Sequence, residues 1–343
     1  MNRYKTYEKL LLFSIFVMAT IFTPDKFLDL FRYYEEAESI NTDSSIKTIY
    51  ENYMEASSDF IYYLTFYIFR ILHIPIHLVN GLYVTLFYYG AFSILEQYAN
   101  RCSDNILDSD MKMTMTAMVF AMPVMFVFSI ARMTASFAFI FLSITFLLKK
   151  ERIVAIIFLL LSLYTHTGAM IYVAYLGIAT SISFLISKIK IINNHNFFGV
   201  LIISLALIFL LEKGISLILQ LPFFSTYHYF ALYLEDMGLA TFYGLGGITT
   251  VTLLFYYICC LYFVMRSDLQ FPFKVAVYMM PFLIMSFFMS DMFLQRMSMY
   301  SIPFWGVLML NSLRYNHRLS MVLTAIAVFL GVSCIIATNR FYL

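Results

Sequence analysis

Arg132 and His166 stand at the two ends of a hydrophobic hairpin. Arg132 opens the apolar run ARMTASFAFIFLSITFLLKK, and His166 closes the next, ERIVAIIFLLLSLYTHTGAM. A guanidinium keeps its charge at any working pH and can fork onto phosphate oxygens. An imidazole titrates near neutrality, so it can take a proton from a sugar hydroxyl as that hydroxyl attacks. Between the runs lies a basic knot, Lys149, Lys150, Glu151 and Arg152. If both runs cross a bilayer and the knot is their turn, Arg132 and His166 emerge on one side at similar depth. A cation beside a titratable base at a membrane surface suits an anionic, lipid-borne substrate. Ser136 and Ser143 share the helix face of Arg132, and Ala131, Ala135 and Ala138 allow close packing beside it. The competing structural roles are an arginine snorkelling to the interface and a histidine bonded to a helix-end carbonyl.

Other residues could join them. Arg296 lies in SDMFLQRMSMYSIPFW, with Tyr300 one turn on and Pro303 expected to bend the helix. Two arginines at one membrane face are what a diphosphate needs; the alternative for Arg296 is an ion pair with Asp291. Asp29, Arg32, Tyr33 and Tyr34 fall in DKFLDLFRYYEE. Aromatic rings stack on sugar faces and carboxylates bind hydroxyls, so this stretch is a candidate glycan site, against the alternative of a solvated amphipathic helix. His228 and the tyrosines around it are candidates of the same kind. His73 and His77 flank Pro75 without a third ligand, which makes a poor metal site. The four cysteines show no CxxC or Cys/His spacing, so neither a disulfide framework nor zinc is indicated. No Gly-rich phosphate loop, nucleophile elbow or HExxH pattern occurs.

The elements that position these residues follow from composition. Of 343 residues 62% are hydrophobic and 12% charged, about half the charged share of a soluble domain. Apolar runs recur along the chain, as in an all-α, polytopic integral membrane protein. Candidate spans cover 9–24, 76–96, 113–130, 132–148, 152–166, 168–187, 197–213, 246–265, 275–290, 297–312 and 319–337, about eleven helices in a range of ten to twelve. Arg3, Lys5 and Lys9 before an apolar run resemble a signal sequence, yet no small-x-small site follows, so this reads as a retained first span. With a cytoplasmic N-terminus, the short inner loops hold Arg101 and Lys112, the Lys149–Arg152 knot, Lys188 and Lys190, Arg266 and Lys274, and Arg314 and Arg318. That obeys the positive-inside bias. It requires residues 59–74 to lie on the outer leaflet as an amphipathic helix, with Tyr62, Tyr63, Phe66, Tyr67 and Phe69 in the interface.

Two large loops then face outward, at 25–75 including that helix and at 214–245, on a single transmembrane domain spanning 1–343. The stretch 25–58 is acidic, and 214–245 is rich in aromatics and glycine. Large outer loops and small inner ones put the function outside the cytoplasm. The formal charge of +2 gives no reason to expect a nucleic-acid partner.

With these residues in view, the chain resembles the EpsG-like and Wzy-type polysaccharide polymerases of bacterial envelopes. Four features carry the resemblance: Asp29, Arg32 and Tyr33 after the first span; Arg132-Met133-Thr134-Ala135 opening a span that ends in a basic turn; His166-Thr167-Gly168-Ala169 closing the next; and Arg296 with Tyr300 near the C-terminus. Family members often carry glutamine after the arginine and serine after the histidine, where this chain has Met133 and Thr167. The resemblance implies a GT-C-like membrane glycosyltransferase of the bacterial cytoplasmic membrane. It would join oligosaccharide repeat units carried on undecaprenyl diphosphate at the periplasmic face. It implies no nucleotide sugar, cofactor or metal. It implies diphosphate binding by Arg132 and Arg296, proton transfer at His166, and glycan binding at Asp29, Arg32, Tyr33, Tyr300 and His228. A chain-length regulator and a flippase of the same pathway are the implied protein partners, beside membrane lipids.

Two rival functions predict different patterns. A transporter (flippase) of lipid-linked glycan calls for charges at midplane depth and related halves. Here the charges gather at one face and no internal repeat is seen. A membrane acyltransferase that decorates surface glycan would carry histidine and arginines near its first spans, which residues 1–24 do not match. A non-catalytic assembly subunit is a third reading.

Overall fold

The computed structural model describes residues 3–24, 29–40, 46–48, 51, 59–102, 106–120, 122, 124–166, 168–188, 199, 202–203, 206, 247–286 and 291–338. Among them the regular elements are helices. The chain divides into two compact units, Met1–Val173 with Gly331–Leu343, and Ala174–Leu330.

The first unit holds α1 (Arg3–Ile21), α2 (Asp29–Ser39), α3 (Phe60–Ile71), α4 (His77–Arg101), α5 (Asp108–Phe120), α6 (Val124–Ser129), α7 (Ala131–Leu148) and α8 (Arg152–Thr165). α7 is its centre, packed along α4 on one side and α8 on the other. Apolar residues surround α7, so no face is kept for water. Small residues set how near α4 comes. A Cβ on Gly90 would stand 2.8 Å from Cβ of Phe141 and 3.4 Å from the carbonyl of Ala138. Only hydrogen at position 90 allows this approach. Gly331, near the C-terminus, comes closer still to the backbone carbonyl of Phe120 at the end of α5.

The α7–α8 hairpin closes as its basic knot suggests. Lys150 takes the left-handed conformation at φ 68°. Its N–H donates to Leu147 O at 3.0 Å, and the Glu151 N–H donates to Phe146 O at 2.9 Å. These bonds satisfy carbonyls that a helix end leaves bare. Further along, Ser136 Oγ lies 2.8 Å from Ser162 Oγ, and Ser143 Oγ donates to Ala155 O at 2.7 Å. The serines read as a polar face beneath Arg132 are therefore bonded across to α8, where they hold the hairpin together.

α8 shows how the unit meets its surroundings. Ala155, Ser162 and Thr165 are buried, while Ile153, Ile156, Ile157, Leu160 and Tyr164 form an exposed row at helical spacing. A continuous apolar row of this kind suits lipid. Among the described residues five helices are long and apolar enough to cross a bilayer: α4, α7, α9 (Ala169–Lys188), α10 (Gly247–Met265) and α13 (His317–Thr338). Shorter apolar helices are α3, α8 and α11 (Val275–Ser286). The chain is thus a multi-pass membrane protein.

Two expected elements differ. The span over 113–130 is two helices, because α5 stops at Phe120 and α6 begins at Val124, on either side of Pro123, which has no N–H to donate. The aromatic face of 59–74, expected in the lipid interface, is inside the protein. Tyr62, Tyr63, Phe66 and Tyr67 are buried, and α3 packs against α2, α4 and α8. The physical reason is a nearer aromatic partner surface: Tyr62 meets Tyr33 at 5.5 Å and Tyr83 at 5.8 Å between ring centroids. Most of the expected span 197–213 lies outside the described residues.

In the second unit, α11 and α10 pack on α12 (Asp291–Leu313), which continues through Pro303. Tyr256 Oη lies 2.7 Å from Ser301 Oγ, and the Trp305 ring sits against Tyr256 and Phe263 at 5.5 and 5.8 Å.

Candidate functional site

The corner before α7 fixes where Arg132 starts. Thr134 Oγ1 donates to Val127 O at 2.8 Å and to Ile130 O at 3.0 Å, tying the end of α6 to the first turn of α7. From the shared basic turn, Arg132 stands ~25 Å along α7 and His166 ~21 Å along α8, at 1.5 Å per residue. Both therefore come out at the same end of the hairpin.

His166 leaves the helix with extended backbone, φ −165° and ψ 117°, its N–H donating to Ser162 O at 3.0 Å. Its carbonyl accepts the Ala169 N–H at 3.0 Å, which closes the turn into α9. Gly168 sits beneath the imidazole. A Cβ there would lie 2.7 Å from Nε2 and 3.1 Å from Cδ2 of His166.

Asp59 is what joins these two residues. It stands just before α3, where its carbonyl accepts the N–H groups of Tyr62 and Tyr63 at 3.1 and 3.2 Å. An aspartate at this position ordinarily turns its carboxylate back to cap its own helix. Here the side chain makes no cap bond. Oδ2 accepts from Arg132 Nη1, and Oδ1 lies 3.0 Å from His166 Nδ1. The Asp59 side chain is 0% exposed, whereas Arg132 and His166 are 18% and 19% exposed. The carboxylate is sealed in while both partners reach the surface.

Tyr33 completes the wall. Its ring is buried and faces the Arg132 guanidinium at 4.4 Å. Such cation–π contacts hold a guanidinium without consuming its N–H groups. Arg32 meets the same ring at 5.1 Å and donates from Nη2 to its hydroxyl at 3.1 Å. Arg32 also pairs with Glu36 at 3.6 Å, and Glu36 accepts from the Tyr63 hydroxyl. Arg70 donates to the Ala37 carbonyl at 2.8 Å. These contacts clip α2 to α3 and so fix Tyr33 and Asp59 relative to one another. Burial pushes the Tyr34 phenol well above its usual range, so it stays neutral where its ring meets His77 at 4.8 Å.

Of the residues picked out from sequence, Arg132, His166, Tyr33 and Arg32 come together. Asp29 opens α2, and its side chain lies outside the described residues. Arg296 and Tyr300 are one turn apart on α12 in the second unit, Arg296 half-buried and Tyr300 fully buried. His228 and all of 214–245 lie outside the described residues. Among the described residues no group of three or more His, Cys, Asp or Glu could hold a metal ion. Asp59 was not singled out from sequence. Its type in front of an apolar helix reads as an ordinary cap, and its partners are 73 and 107 positions away.

This arrangement can hold an anion at a fixed guanidinium and move a proton at an imidazole beside it. Together with the helices around it, it defines a multi-pass membrane protein with a polar cluster at one end of a helical hairpin. The chain belongs to the EpsG family, whose model matches residues 9–342. It is thereby a membrane protein linked to exopolysaccharide biosynthesis. No curated protein and no solved structure matches the chain.

Proposed function

We propose that this chain is a membrane glycosyltransferase that polymerises oligosaccharide repeat units carried on undecaprenyl diphosphate. An acceptor sugar hydroxyl attacks the anomeric carbon of a lipid-linked unit. The new C–O glycosidic bond forms as the bond from that carbon to the diphosphate breaks. Undecaprenyl diphosphate leaves with the electron pair, and the hydroxyl proton passes to a base. Diphosphate is already a good leaving group, so what the protein must supply is charge, orientation and a proton acceptor. Arg132 is the cation for the diphosphate and His166 the base. Arg296 is a further cation candidate by residue type, Asp29, Arg32 and His228 are candidates for contact with glycan, and the buried Tyr33 and Tyr300 would back such contacts from behind.

The observation that carries this reading is the convergence of Arg132 and His166 on Asp59 within a chain of the EpsG family. The accompanying topology is about eleven spans in a GT-C-like arrangement. The N-terminus is cytoplasmic, and the polar cluster and the loops 25–75 and 214–245 are extracytoplasmic. A flippase delivers the substrate, and a chain-length regulator sets how far it is extended.

The test is a surface-glycan gel from a deletion strain complemented with wild type, Arg132→Ala or His166→Ala at matched membrane levels. The polymerase reading expects a single repeat unit in the deletion strain, polymer with wild type, and a single unit with either variant. Full-length polymer lacking only an acyl group would identify a decorating transferase instead. Absence of any repeat unit at the surface would identify a transporter.

A further inference from the structure

We infer that Asp59 is the positioning residue of this site: it fixes the tautomer of His166 that makes the imidazole a base, and Arg132 keeps it ionised for that task. The assignment rests on the polymerase reading for its reaction but on geometry for its content.

The carboxylate is fully covered. A buried carboxylate without a counter-charge takes up a proton and becomes neutral. Arg132 Nη1 donates to Oδ2, which holds the negative charge in place. Oδ1 is left facing His166 Nδ1 at 3.0 Å. An ionised carboxylate has only acceptor sites, so the nitrogen that faces it carries the hydrogen. Nδ1 is then N–H, and in a neutral imidazole the lone pair belongs to Nε2. That is the nitrogen able to take the proton from an acceptor hydroxyl.

The same geometry serves the moment of reaction. Arg132, Asp59 and neutral His166 sum to no net charge. When Nε2 takes the hydroxyl proton, the imidazolium finds a carboxylate already in place, and the cluster gains one positive charge. At that moment the departing diphosphate gains negative charge. Charge that appears in a prearranged site needs no reorganisation of the surroundings.

Two further observations agree. Asp59 stands where an aspartate caps its own helix and does not do so, both oxygens being committed to Arg132 and His166. Gly168 carries no Cβ to crowd the Nε2 edge of the ring, where one would stand 2.7 Å from Nε2, so the edge that must receive the proton is not blocked by a side chain at that position.

The experiment uses full-length protein in lipid nanodiscs. Histidine is 15N-labelled, and the signal of His166 among the six histidines is identified by its loss in His166→Asn. Wild type is expected to show Nδ1 protonated and Nε2 unprotonated at neutral pH, and Asp59→Asn to lose that state. Asp59→Asn is further expected to lower kcat on a lipid-linked repeat unit at least 100-fold with KM within threefold, compared at equal folded protein. Asp59→Glu should recover part of kcat. His166 protonated on Nε2 in wild type, or a kcat for Asp59→Asn within threefold of wild type, would overturn the assignment. If wild type makes no polymer from a competent substrate, the proposed function fails, and the tautomer alone decides the role of Asp59.

Discussion

Oδ1 of Asp59 and Nδ1 of His166 are 3.0 Å apart although 107 positions separate them in the chain. The contact exists because α3 packs on α8 and ends its N-terminal side at the mouth of the α7–α8 hairpin. The other oxygen of the same carboxylate is taken by Arg132. Removing the carboxylate therefore strands a largely covered guanidinium. Asp59→Ala should cost about 3–5 kcal/mol, the range for breaking a buried pair from one side. Asp59→Asn keeps the volume and an acceptor oxygen and should cost distinctly less. Thermal unfolding of the two variants in the same detergent checks the order.

Gly168 separates a chemical role from a general one. An alanine Cβ would press on Nε2 and Cδ2 of His166 and drive the ring away from Asp59. Gly168→Ala should reach the membrane at wild-type level and polymerise at least tenfold more slowly. Gly177, on α9, is the control, since a Cβ there meets nothing within 4 Å. Gly177→Ala should leave polymer unchanged, as a helix interior favours alanine over glycine by about 0.5–1 kcal/mol. Equal loss from both would refute the steric argument.

Gly90 should fail in the opposite way. Its missing Cβ makes room for Phe141 and the backbone of α7. Gly90→Leu overpacks this contact and should destabilise the first unit by more than the ~1–3 kcal/mol typical of added methylenes. Membrane level and polymer should fall together, measured by immunoblot and glycan gel on the same cells. Polymer loss at normal protein level would instead give Gly90 a part in the reaction.

The hairpin serines offer a milder case. Ser136 Oγ bonds both the hydroxyl and the carbonyl of Ser162, at 2.8 and 3.1 Å. Ser136→Ala should cost about 1 kcal/mol of stability. Specific polymerising activity per molecule should stay within twofold. A large loss of specific activity would give Ser136 a part in the reaction beyond holding the hairpin.

How much of this was legible in sequence depends on the range of the signal. Arg132 and His166 could be paired because two apolar runs with one basic turn impose a hairpin, and a hairpin brings its open ends together. The EpsG resemblance was legible in the same residues. Asp59 was hidden because an aspartate before an apolar helix has an ordinary local explanation, and nothing local reveals that its carboxylate turns away. Tyr62 and Phe66 were misplaced in the lipid interface because an aromatic face suits lipid headgroups and a neighbouring protein surface equally well. Which one it meets was decided by Tyr33 and Tyr83, far off in sequence. Ser136 could be placed on the helix face of Arg132 but its bond to Ser162 could not be foreseen, because helical periodicity says which residues share a face, not what that face meets.

The most direct test is polymerisation by the purified protein in nanodiscs, supplied only with synthetic undecaprenyl-diphosphate-linked repeat units, in the presence of a chelator and with no nucleotide sugar. A ladder of products one repeat unit apart, formed by wild type and absent with Arg132→Ala and with His166→Ala at equal folded protein, is the predicted result. A ladder that persists at wild-type rate in His166→Ala, or that requires a nucleotide sugar or a metal ion, would contradict it.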